Sequence, residues 1–495
     1  MKHFTTSDEV FEWLSHFINM EKGQKPKSFN LRRMKTLIEL SGHPEKCAPS
    51  IHVAGSKGKG SVTGMLTAIL TSAGYRAARY MSPHVVDIRE RLCIGDSYFD
   101  EEIYVSAGNE LRHITEELLP YTIKSWSSIA SLFDSSEPTG SEPTFWELIT
   151  LLFFLCARLA KCDVMVVETG MGGRLDSTNV LDPLLSVITL IELEHTNVLG
   201  NSIAAIAKEK AGIVKRNKPL ILAKQSAEAL EVFKKRAKRK NSPLIYLPDI
   251  SEISNVIITK KGTTFSLSIK NSSFENLCVS NLTTQEGSGK PLREEISIPI
   301  PGKVQAENAA LAVTAIKTAF PQIIDENVIR KGLANLNIPG RFEKISEEPP
   351  IIIDGAHTPE SLSLCIETFC SLYGEGGILL FGCAADKDAA AMAKIAHSYF
   401  AKIIITVPGT FKKSKPENVY KAFAKIAEQD KTHLVRKTDE AIKQAIVFAR
   451  SYFEKTYHKS AKTQETQKDE ENYLPILGVG SFYLVSEIRK VIKKY

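Results

Sequence analysis

Short apolar runs rich in β-branched residues alternate along the chain with longer segments in which apolar residues recur at helical spacing. This alternation is typical of a mostly parallel sheet flanked by helices, and it predicts the α/β class. The predicted strands are Ile51–Ala54, Arg79–Tyr80, Val164–Val167, Ser186–Leu190, Leu220–Ala223, Ile351–Asp354, Ile378–Phe381 and Ile403–Val407.

Interruptions of this pattern indicate the domain organisation. Pro339-Gly340 breaks the pattern before a new strand-rich segment, so we expect a larger domain over residues 1–338 and a smaller one over 339–495. Three polar stretches are predicted to be loops or insertions, and the second of them has β-like runs that suggest hairpins. They are Lys124–Pro143, Asn271–Glu295 and Thr456–Asn472.

The composition is that of an ordinary globular protein and excludes several classes. The 495 residues are 43% hydrophobic and 24% charged, and the net charge of +6 comes without a basic tract dense enough to predict nucleic-acid binding. The first 19 residues lack the features of a secretory signal, and the most apolar stretch, Ile149–Leu159, is too short to span a bilayer. Eight cysteines without a CxxC pair fit a reducing compartment. We therefore predict a cytoplasmic protein that binds neither membranes nor nucleic acid.

The segment after the strand Ile51–Ala54 has the composition of a phosphate-binding loop. It reads GSKGKGS over residues 55–61 and precedes the helical run Val62–Ser72. Glycines let backbone N–H groups turn towards a phosphate, and a helix N-terminus adds partial positive charge. Lys59 would then lie on the outer phosphates and the Ser61 hydroxyl on a phosphate-bound Mg²⁺. The residues expected to contact the nucleotide are Gly58, Lys59, Gly60 and Ser61. Because Gly60 separates the lysine from the serine, unlike in a Walker A loop, a glycine-rich turn without a ligand is the alternative.

Candidate Mg²⁺ ligands follow three of the predicted strands. Glu168 ends the strand Val164–Val167 and precedes a glycine-rich segment, and a carboxylate in that position beside a phosphate loop suits Mg²⁺. His195 follows the next strand and is either a second ligand or a hydrogen-bonded loop residue. Ser82 follows Arg79–Tyr80 and is either a third ligand or a turn residue before proline.

Taken in order, these motifs resemble those of the folylpolyglutamate synthase/dihydrofolate synthase branch of the Mur ligase superfamily. The resemblance runs through nearly the whole chain. Its markers in the first domain are the GKGS sequence of residues 58–61, Ser82-Pro83-His84, Arg89-Glu90-Arg91, Glu168–Asn179, His195 and Glu209–Ile213. Its markers in the second are Pro339-Gly340-Arg341, Asp354-Gly355-Ala356-His357, Ala385-Asp386-Lys387-Asp388 and Gly480–Leu484.

The resemblance implies an N-terminal P-loop ATPase domain with a mostly parallel sheet and a smaller Rossmann-like C-terminal domain, with the active site between them. It implies ATP, one or two Mg²⁺ ions and a carbamylated Lys210. A carbamate would turn that cation into an anionic ligand, whereas an unmodified lysine near the end of the helix Ile203–Ala211 is the alternative. The implied Mg²⁺ environment is Ser61, Ser82, Glu168, His195 and Lys210. The implied catalytic residues are Lys59, Glu168, His195 and Lys210.

The remaining implied contacts come from both sides of the cleft. Those to the nucleotide are Asn308, Arg341 and Asp354, and those to the acid substrate are Thr144, Leu175, Asp176 and Ser177. Asp176 suits the amino-pyrimidine edge of a pterin, with N-capping or turn formation as the alternative. Two positions depart from the family pattern. Glu194 replaces the usual Asp before the histidine, and Thr358 replaces an Asn that would follow Asp-Gly-Ala-His.

The activity implied by the resemblance is that of an ATP-dependent acid–amino-acid ligase of folate biosynthesis and one-carbon metabolism. It would join L-glutamate to dihydropteroate, to a tetrahydrofolate or to both through an acyl phosphate. The Ser82-Pro83-His84 sequence with Thr144 and Asp176 favours a bifunctional enzyme. A single-activity folylpolyglutamate synthase and another Mur-type amino-acid ligase are the alternatives. Retention of Lys59, Glu168 and His195 argues against a non-catalytic nucleotide-binding module. We expect a monomer.

Overall fold

The computed structural model describes residues 3–19, 30–120, 142–270, 292–321, 324–409, 413–428, 430–457 and 473–492. Most of the three polar stretches predicted to be loops therefore lies outside the described residues. The described parts are residues 142–143, residues 292–295, which begin a strand, and residues 456–457, which end a helix.

Eight strands of the first part of the chain form one sheet. They are β1 Ser50–Ala54, β2 Ala77–Tyr80, β3 Leu92–Ile94, β4 Ser97–Tyr98, β5 Val164–Glu168, β6 Leu185–Ile188, β7 Leu220–Leu222 and β8 Leu244–Tyr246. Their spatial order is β4-β3-β2-β5-β1-β6-β7-β8, and all neighbouring pairs are parallel except β2–β3 and β3–β4. The C-terminal end of β1 thus lies between those of β5 and β6, which is where open parallel sheets form ligand crevices.

Helices cover both faces of this sheet. They are α1 Ser7–Ser15, α2 Arg32–Leu40, α3 Lys59–Ser72, α4 Glu101–His113, α5 Phe145–Leu159, α6 Thr196–Leu199, α7 Ile203–Lys210, α8 Ala227–Lys240, α9 Leu247–Ile250, α10 Lys303–Ala319 and α11 Glu326–Ala334. Helices α3, α10 and α11 share one apolar core with the strands, and α1, α4 and α5 share another. Side chains alternate along each strand, so β1 contributes Ile51 and Val53 to the first core.

Two smaller sheets follow along the chain. Strands β9 Ser251–Thr259, β10 Gly262–Ile269 and β11 Leu292–Ile298 form an antiparallel sheet that packs on α10. The third sheet has the order β12-β13-β17-β14-β15-β16 and is parallel except for the β12–β13 pair. Its strands are β12 Glu343–Glu347, β13 Pro350–Ile353, β14 Gly377–Phe381, β15 Phe400–Ile405, β16 Thr432–Leu434 and β17 Ile476–Val479. Its helices are α12 Pro359–Tyr373, α13 Ala389–Ala396, α14 Pro416–Ala424, α15 Thr438–Tyr457 and α16 Phe482–Ile492.

The predicted α/β class is confirmed, and several predicted bounds are corrected. Helix α3 begins at Lys59 rather than Val62, because Gly58 takes a left-handed conformation that starts the first turn earlier. Strand β6 ends at Ile188 rather than Leu190. The Leu190 carbonyl does not pair with a neighbouring strand of the sheet but accepts the N–H groups of Ser56 and Lys57 in the phosphate loop. The separate antiparallel sheet was not predicted. None of the helices in the described part of the chain has the length and apolar character that crossing a bilayer requires.

Candidate active site

The phosphate loop connects β1 to α3 and depends on two glycines. Gly55 and Gly58 have φ angles of +151° and +85°, which side-chain-bearing residues rarely adopt. A methyl group on Gly58 would lie 2.5 Å from Oδ1 of Asn308, and one on Gly55 would overlap the Thr189 side chain. The first N–H groups of α3 have no acceptor within the helix, so they face the loop as ready donors to an anion.

Two lysines converge on one carbonyl oxygen of this loop. The Nζ of Lys59 donates to the Gly55 carbonyl at 2.9 Å, and the Nζ of Lys210 donates to the same oxygen at 2.7 Å. Lys59 is the first residue of α3, and Lys210 is the last residue of α7. The loop therefore has a concentration of positive charge where a polyphosphate would bind.

Glu168 ends β5 beside the loop, and only 2% of its surface is exposed. Burial raises its pKa to about 7, against the opposing effect of the Lys59 and Arg341 cations. The backbone N–H of Ser82 points at its Oε2 atom at 3.4 Å. A methyl group on Gly60 would lie 3.4 Å from Nη2 of Arg341 and 3.6 Å from Oε2 of Glu168, so these groups surround the start of α3.

The loop after β6 carries Glu194 and His195. Its backbone is held to the phosphate loop by the bonds to Leu190 and by the Ser56 hydroxyl, which donates to the Glu192 carbonyl at 3.0 Å. Glu194 forms an ion pair with Lys210 at 2.6 Å. Burial lowers the pKa of Lys210. Burial opposes ionisation of Glu194, but the neighbouring cations, Lys210 first, bring the pKa of Glu194 below its ordinary value.

His195 is placed differently from Glu194. It has a left-handed backbone conformation with a φ of +46° and its residue surface is exposed. An imidazole binds a metal ion in its neutral form, and an accessible ring can reach an ion at the phosphate loop. His195 therefore lies beside the phosphate loop, next to the Glu194–Lys210 ion pair.

The third sheet contributes residues from across the cleft. Arg341 lies over the Phe482 ring at 4.2 Å and reaches the start of α3. Asp354 follows β13 and accepts backbone N–H groups from Phe342 at 2.8 Å and Ala356 at 2.7 Å. Asn308 lies on α10, and its side-chain amide packs against Gly58 of the phosphate loop. The three predicted nucleotide residues outside the loop thus come from helix α10 and from the segments next to β12 and β13.

The predicted acid-substrate residues form a second group at the ends of β5 and α5. Thr144 caps α5 because its hydroxyl accepts the Glu147 N–H at 3.3 Å, and its own backbone N–H donates to Oε2 of Glu147 at 2.8 Å. The Asp176 carboxylate accepts N–H groups from Met171 and Thr178 at 2.8 and 3.1 Å. Ser177 is buried, and its hydroxyl lies 3.1 Å from that of Thr150, whereas Leu175 is half-buried. The capping and turn alternative for Asp176 thus describes real contacts, and Thr144 also caps a helix.

The two departures from the family pattern have structural outcomes. Glu194 reaches Lys210 directly, as described above. Thr358 caps α12, because its hydroxyl accepts the Ser361 N–H at 3.4 Å while the Ser361 hydroxyl accepts the Thr358 N–H at 3.1 Å. The loop before α12 is therefore ordered without an asparagine amide.

The residues around the loop fit a Mg²⁺ ion that is shared with a bound phosphate. Glu168 and the hydroxyls of Ser61 and Ser82 supply oxygen donors, which Mg²⁺ prefers. Within the described ranges, no three His, Cys, Asp or Glu side chains form a metal cage. Mg²⁺ commonly uses one or two carboxylates together with substrate phosphates and waters, so a complete cage is not required.

The sequence did not identify the residues that hydrogen-bond to the site residues and hold them in place. They are Arg33, His52, Glu147, Thr178 and Gln225. Arg33 pairs with Glu147 at 2.8 Å, and the Thr-x-x-Glu spacing of a capping box was the signal that could have identified Glu147. Gln225 accepts the Ile191 N–H and donates to the Thr189 carbonyl, but nothing in the sequence marks it.

Comparisons with known proteins agree with this geometry. Residues 111–316 match the Mur ligase middle domain, and residues 340–451 match the Mur ligase glutamate ligase domain. The chain is 33% identical over 405 residues to a Bacillus subtilis dihydrofolate synthase/folylpolyglutamate synthase, covering 80% of this chain and 84% of that protein. It is 30% identical over 400 residues to a Lacticaseibacillus casei folylpolyglutamate synthase, covering 80% and 85%.

Solved structures give the same result. A Mycobacterium tuberculosis folylpolyglutamate synthase complexed with ADP and AMPPCP superposes with a TM-score of 0.79 at 25% identity, covering 98% of this chain and 97% of that one. A folylpolyglutamate synthase–AMPPCP–folate complex superposes with a TM-score of 0.71 at 25% identity, covering 99% and 100%. The chain therefore belongs to the dihydrofolate synthase/folylpolyglutamate synthase family of ATP-dependent, amide-bond-forming ligases.

Proposed function

We propose that this protein joins L-glutamate to both dihydropteroate and a tetrahydrofolate, with cleavage of ATP to ADP and phosphate. The observation that carries the proposal is the meeting of Glu168, Lys59 and Arg341 around the start of α3. This arrangement supplies a phosphate loop, a strand-end carboxylate and a cation from the facing sheet. The names of the B. subtilis relative and of the folate complex support the choice of acid.

The reaction proceeds in two steps. The carboxylate of the acid attacks the γ-phosphorus of ATP in line, which forms an acyl phosphate and releases ADP. The free amine of L-glutamate then attacks the acyl carbon, and inorganic phosphate leaves. Lys59 and Arg341 offset the charge that spreads over the transferring phosphoryl group, while the α3 N–H groups orient it. The protein acts by positioning and electrostatics, so no serine or cysteine nucleophile is needed.

A Mg²⁺ ion in this site would be held by Ser61, Ser82 and Glu168. When bound, it neutralises phosphate charge and orients the γ-phosphoryl group. His195 and a carbamylated Lys210 are the further proposed Mg²⁺ ligands. Burial lowers the pKa of Lys210, so a larger fraction of its amine is neutral, which is the form that reacts with carbon dioxide.

Asn308 and Asp354 complete the proposed nucleotide site, and Thr144, Leu175, Asp176 and Ser177 line the proposed acid site. Asp176 is held by backbone N–H groups at the end of a glycine-rich segment, so its position is well defined. Its acceptor oxygens suit the N–H donors on the amino-pyrimidine edge of a pterin.

The decisive experiment measures phosphate release from ATP with Mg²⁺ and L-glutamate, with either dihydropteroate or tetrahydrofolate as the acid. The ligated products are identified by mass spectrometry. Release with both acids, each matched by product, supports the bifunctional enzyme. Release with one acid reassigns the protein to the corresponding single activity. Release with neither overturns the proposal in favour of another Mur-type amino-acid ligase.

A further inference from the structure

A buried chain of hydrogen bonds connects strand β1 to the Asp176 carboxylate. His52 lies in the middle of β1, and none of its surface is exposed. Its Nε2 atom is 2.8 Å from the Thr178 hydroxyl, and that hydroxyl donates to Oδ1 of Asp176 at 2.6 Å. Thr178 is itself fully buried. These three side chains form a continuous connection from the central strand to the proposed acid site.

The direction of each bond follows from counting protons. An ionised carboxylate only accepts, so the single hydroxyl proton of Thr178 goes to Asp176. The hydroxyl oxygen is then an acceptor towards His52, and Nε2 of His52 carries the proton. Burial, with the nearby Lys215 cation, lowers the pKa of His52 to about 3, so the ring is neutral at physiological pH. His52 is therefore a fixed donor rather than a titrating base.

This series of hydrogen bonds determines which oxygen of Asp176 is open to a ligand. Oδ1 accepts both the hydroxyl and the backbone N–H of Thr178, which uses its two lone pairs. Oδ2 accepts one N–H at hydrogen-bond distance, that of Met171 at 2.8 Å, and the Gly170 N–H adds a weaker interaction with the carboxylate, so Oδ2 is the less occupied oxygen. A methyl group on Gly170 would lie 3.4 Å from Oδ2 and 3.2 Å from the Trp146 ring, so Oδ2 and this aromatic side chain lie close together on either side of Gly170.

We propose that Thr178 and His52 are positioning residues that turn Oδ2 of Asp176 towards the heterocycle of the acid substrate. This inference rests on the proposed function, because it takes Asp176 as a contact to that substrate. Thr178 holds Oδ1, and His52 holds Thr178 by donating to its hydroxyl. The ligand class is a flat, donor-rich heterocycle such as a pterin, which combines an N–H edge for Oδ2 with a ring for packing beside Trp146.

The first test compares Thr178→Val with Thr178→Ser. Valine keeps the shape and the backbone N–H but removes the hydroxyl, whereas serine keeps the hydroxyl. We expect Thr178→Val to raise the KM for dihydropteroate about tenfold, the loss typical of one hydrogen bond to a charged group. The KM for ATP should stay within about twofold, and Thr178→Ser should restore most of the affinity.

The second test uses His52→Leu and His52→Gln, because glutamine can place an N–H donor near the position of Nε2. We expect the KM for dihydropteroate to rise in the leucine variant and to recover in the glutamine variant, again with little change in the KM for ATP. Equal rises in both KM values would overturn the proposal, since they would indicate general damage to the fold. An unchanged KM for dihydropteroate in both Thr178→Val and His52→Leu would overturn it as well.

These outcomes are separable from failure of the proposed function. If the unaltered protein ligates glutamate to neither pterin acid, the substrate assignment fails before any variant is compared. If it does ligate them and the hydroxyl-free variant binds dihydropteroate normally, only the positioning role fails.

Discussion

The ammonium group of Lys210 lies 2.6 Å from the carboxylate of Glu194, and 1% of the lysine side chain is exposed. A carbamate on Lys210 would place a second anion next to Glu194 in a buried setting. Such a contact is strongly unfavourable unless a cation separates the charges. The proposed modification of Lys210 and the binding of a second Mg²⁺ should therefore depend on each other.

Replacing Lys210 with Met should lower kcat about 100-fold or more, because it removes both the cation and the site of modification and leaves Glu194 buried without its partner. The matched control is Lys208→Met, since Lys208 lies on the same helix and is exposed. Steady-state phosphate release measures both. A Lys210→Met enzyme within about twofold of the unaltered protein would remove Lys210 from the proposed machinery.

Lys59→Ala should reduce ATP-dependent turnover at least about 100-fold, because Lys59 is the cation carried by the first turn of α3, whereas the Lys210 ammonium group is paired with Glu194. Lys46→Ala, at an exposed position before β1, should leave turnover unchanged. The measurement is product formation under saturating acid and glutamate. Full activity in Lys59→Ala contradicts the assignment of the nucleotide site.

Gly58→Ala should raise the KM for ATP about tenfold or more, and Gly74→Ala should not. Both glycines have left-handed φ angles, +85° and +87°, so both substitutions carry a similar backbone cost of about 1 kcal/mol. Only at Gly58 does the added methyl meet a neighbour, Oδ1 of Asn308 at 2.5 Å, while Gly74 has open space. Nucleotide titration and thermal unfolding of the two variants separate site damage from loss of stability. Equal effects on the KM would contradict this prediction.

His52 should make the protein more sensitive to acid. Its pKa is lowered to about 3 by burial and by Lys215, below the ordinary 6.5 of the unfolded chain. The unfolded state therefore binds more protons between these values, and stability is lost as the pH falls through that window. Between pH 7 and pH 5 the loss from this residue is about 2 kcal/mol.

His52→Leu should remove this contribution, so urea unfolding at pH 7 and pH 5 should differ less for the variant than for the unaltered protein. The other buried histidines titrate alike in both proteins and cancel in the comparison. An equal acid loss in the two proteins would show that His52 is not the group responsible.

The parts of the site that depend on local sequence were predictable. The phosphate loop was located because a strand, three glycines and a helix are contiguous, and Glu168 was located because it ends the neighbouring strand. The turn role that was the alternative for Asp176 follows from its place after the glycine-rich segment. In each case the physical signal lies within a few residues.

Contacts between distant segments were not predictable. His52 stands alone in an apolar strand, and its partner Thr178 is 126 residues away. The orientation of Glu194 depends on a loop held by Gln225, whose amide bonds to Ile191 and Thr189 have no sequence signature. The domain boundary near residue 338 and the roles of the site residues stay predictions, because they concern motion and chemistry rather than packing.

Strand β1 carries His52 three residues before Gly55, and a strand advances about 3.3 Å per residue, which separates them by about 10 Å. Hydrogen bonds to β5 on one side and β6 on the other prevent this strand from stretching or slipping. The separation between His52, which holds Thr178 and through it Asp176, and the phosphate loop is therefore set by the backbone. The two proposed acids differ by one glutamate in the distance from ring to reactive carboxylate, so the acid itself has to take up that difference, because the backbone between the two sites does not change.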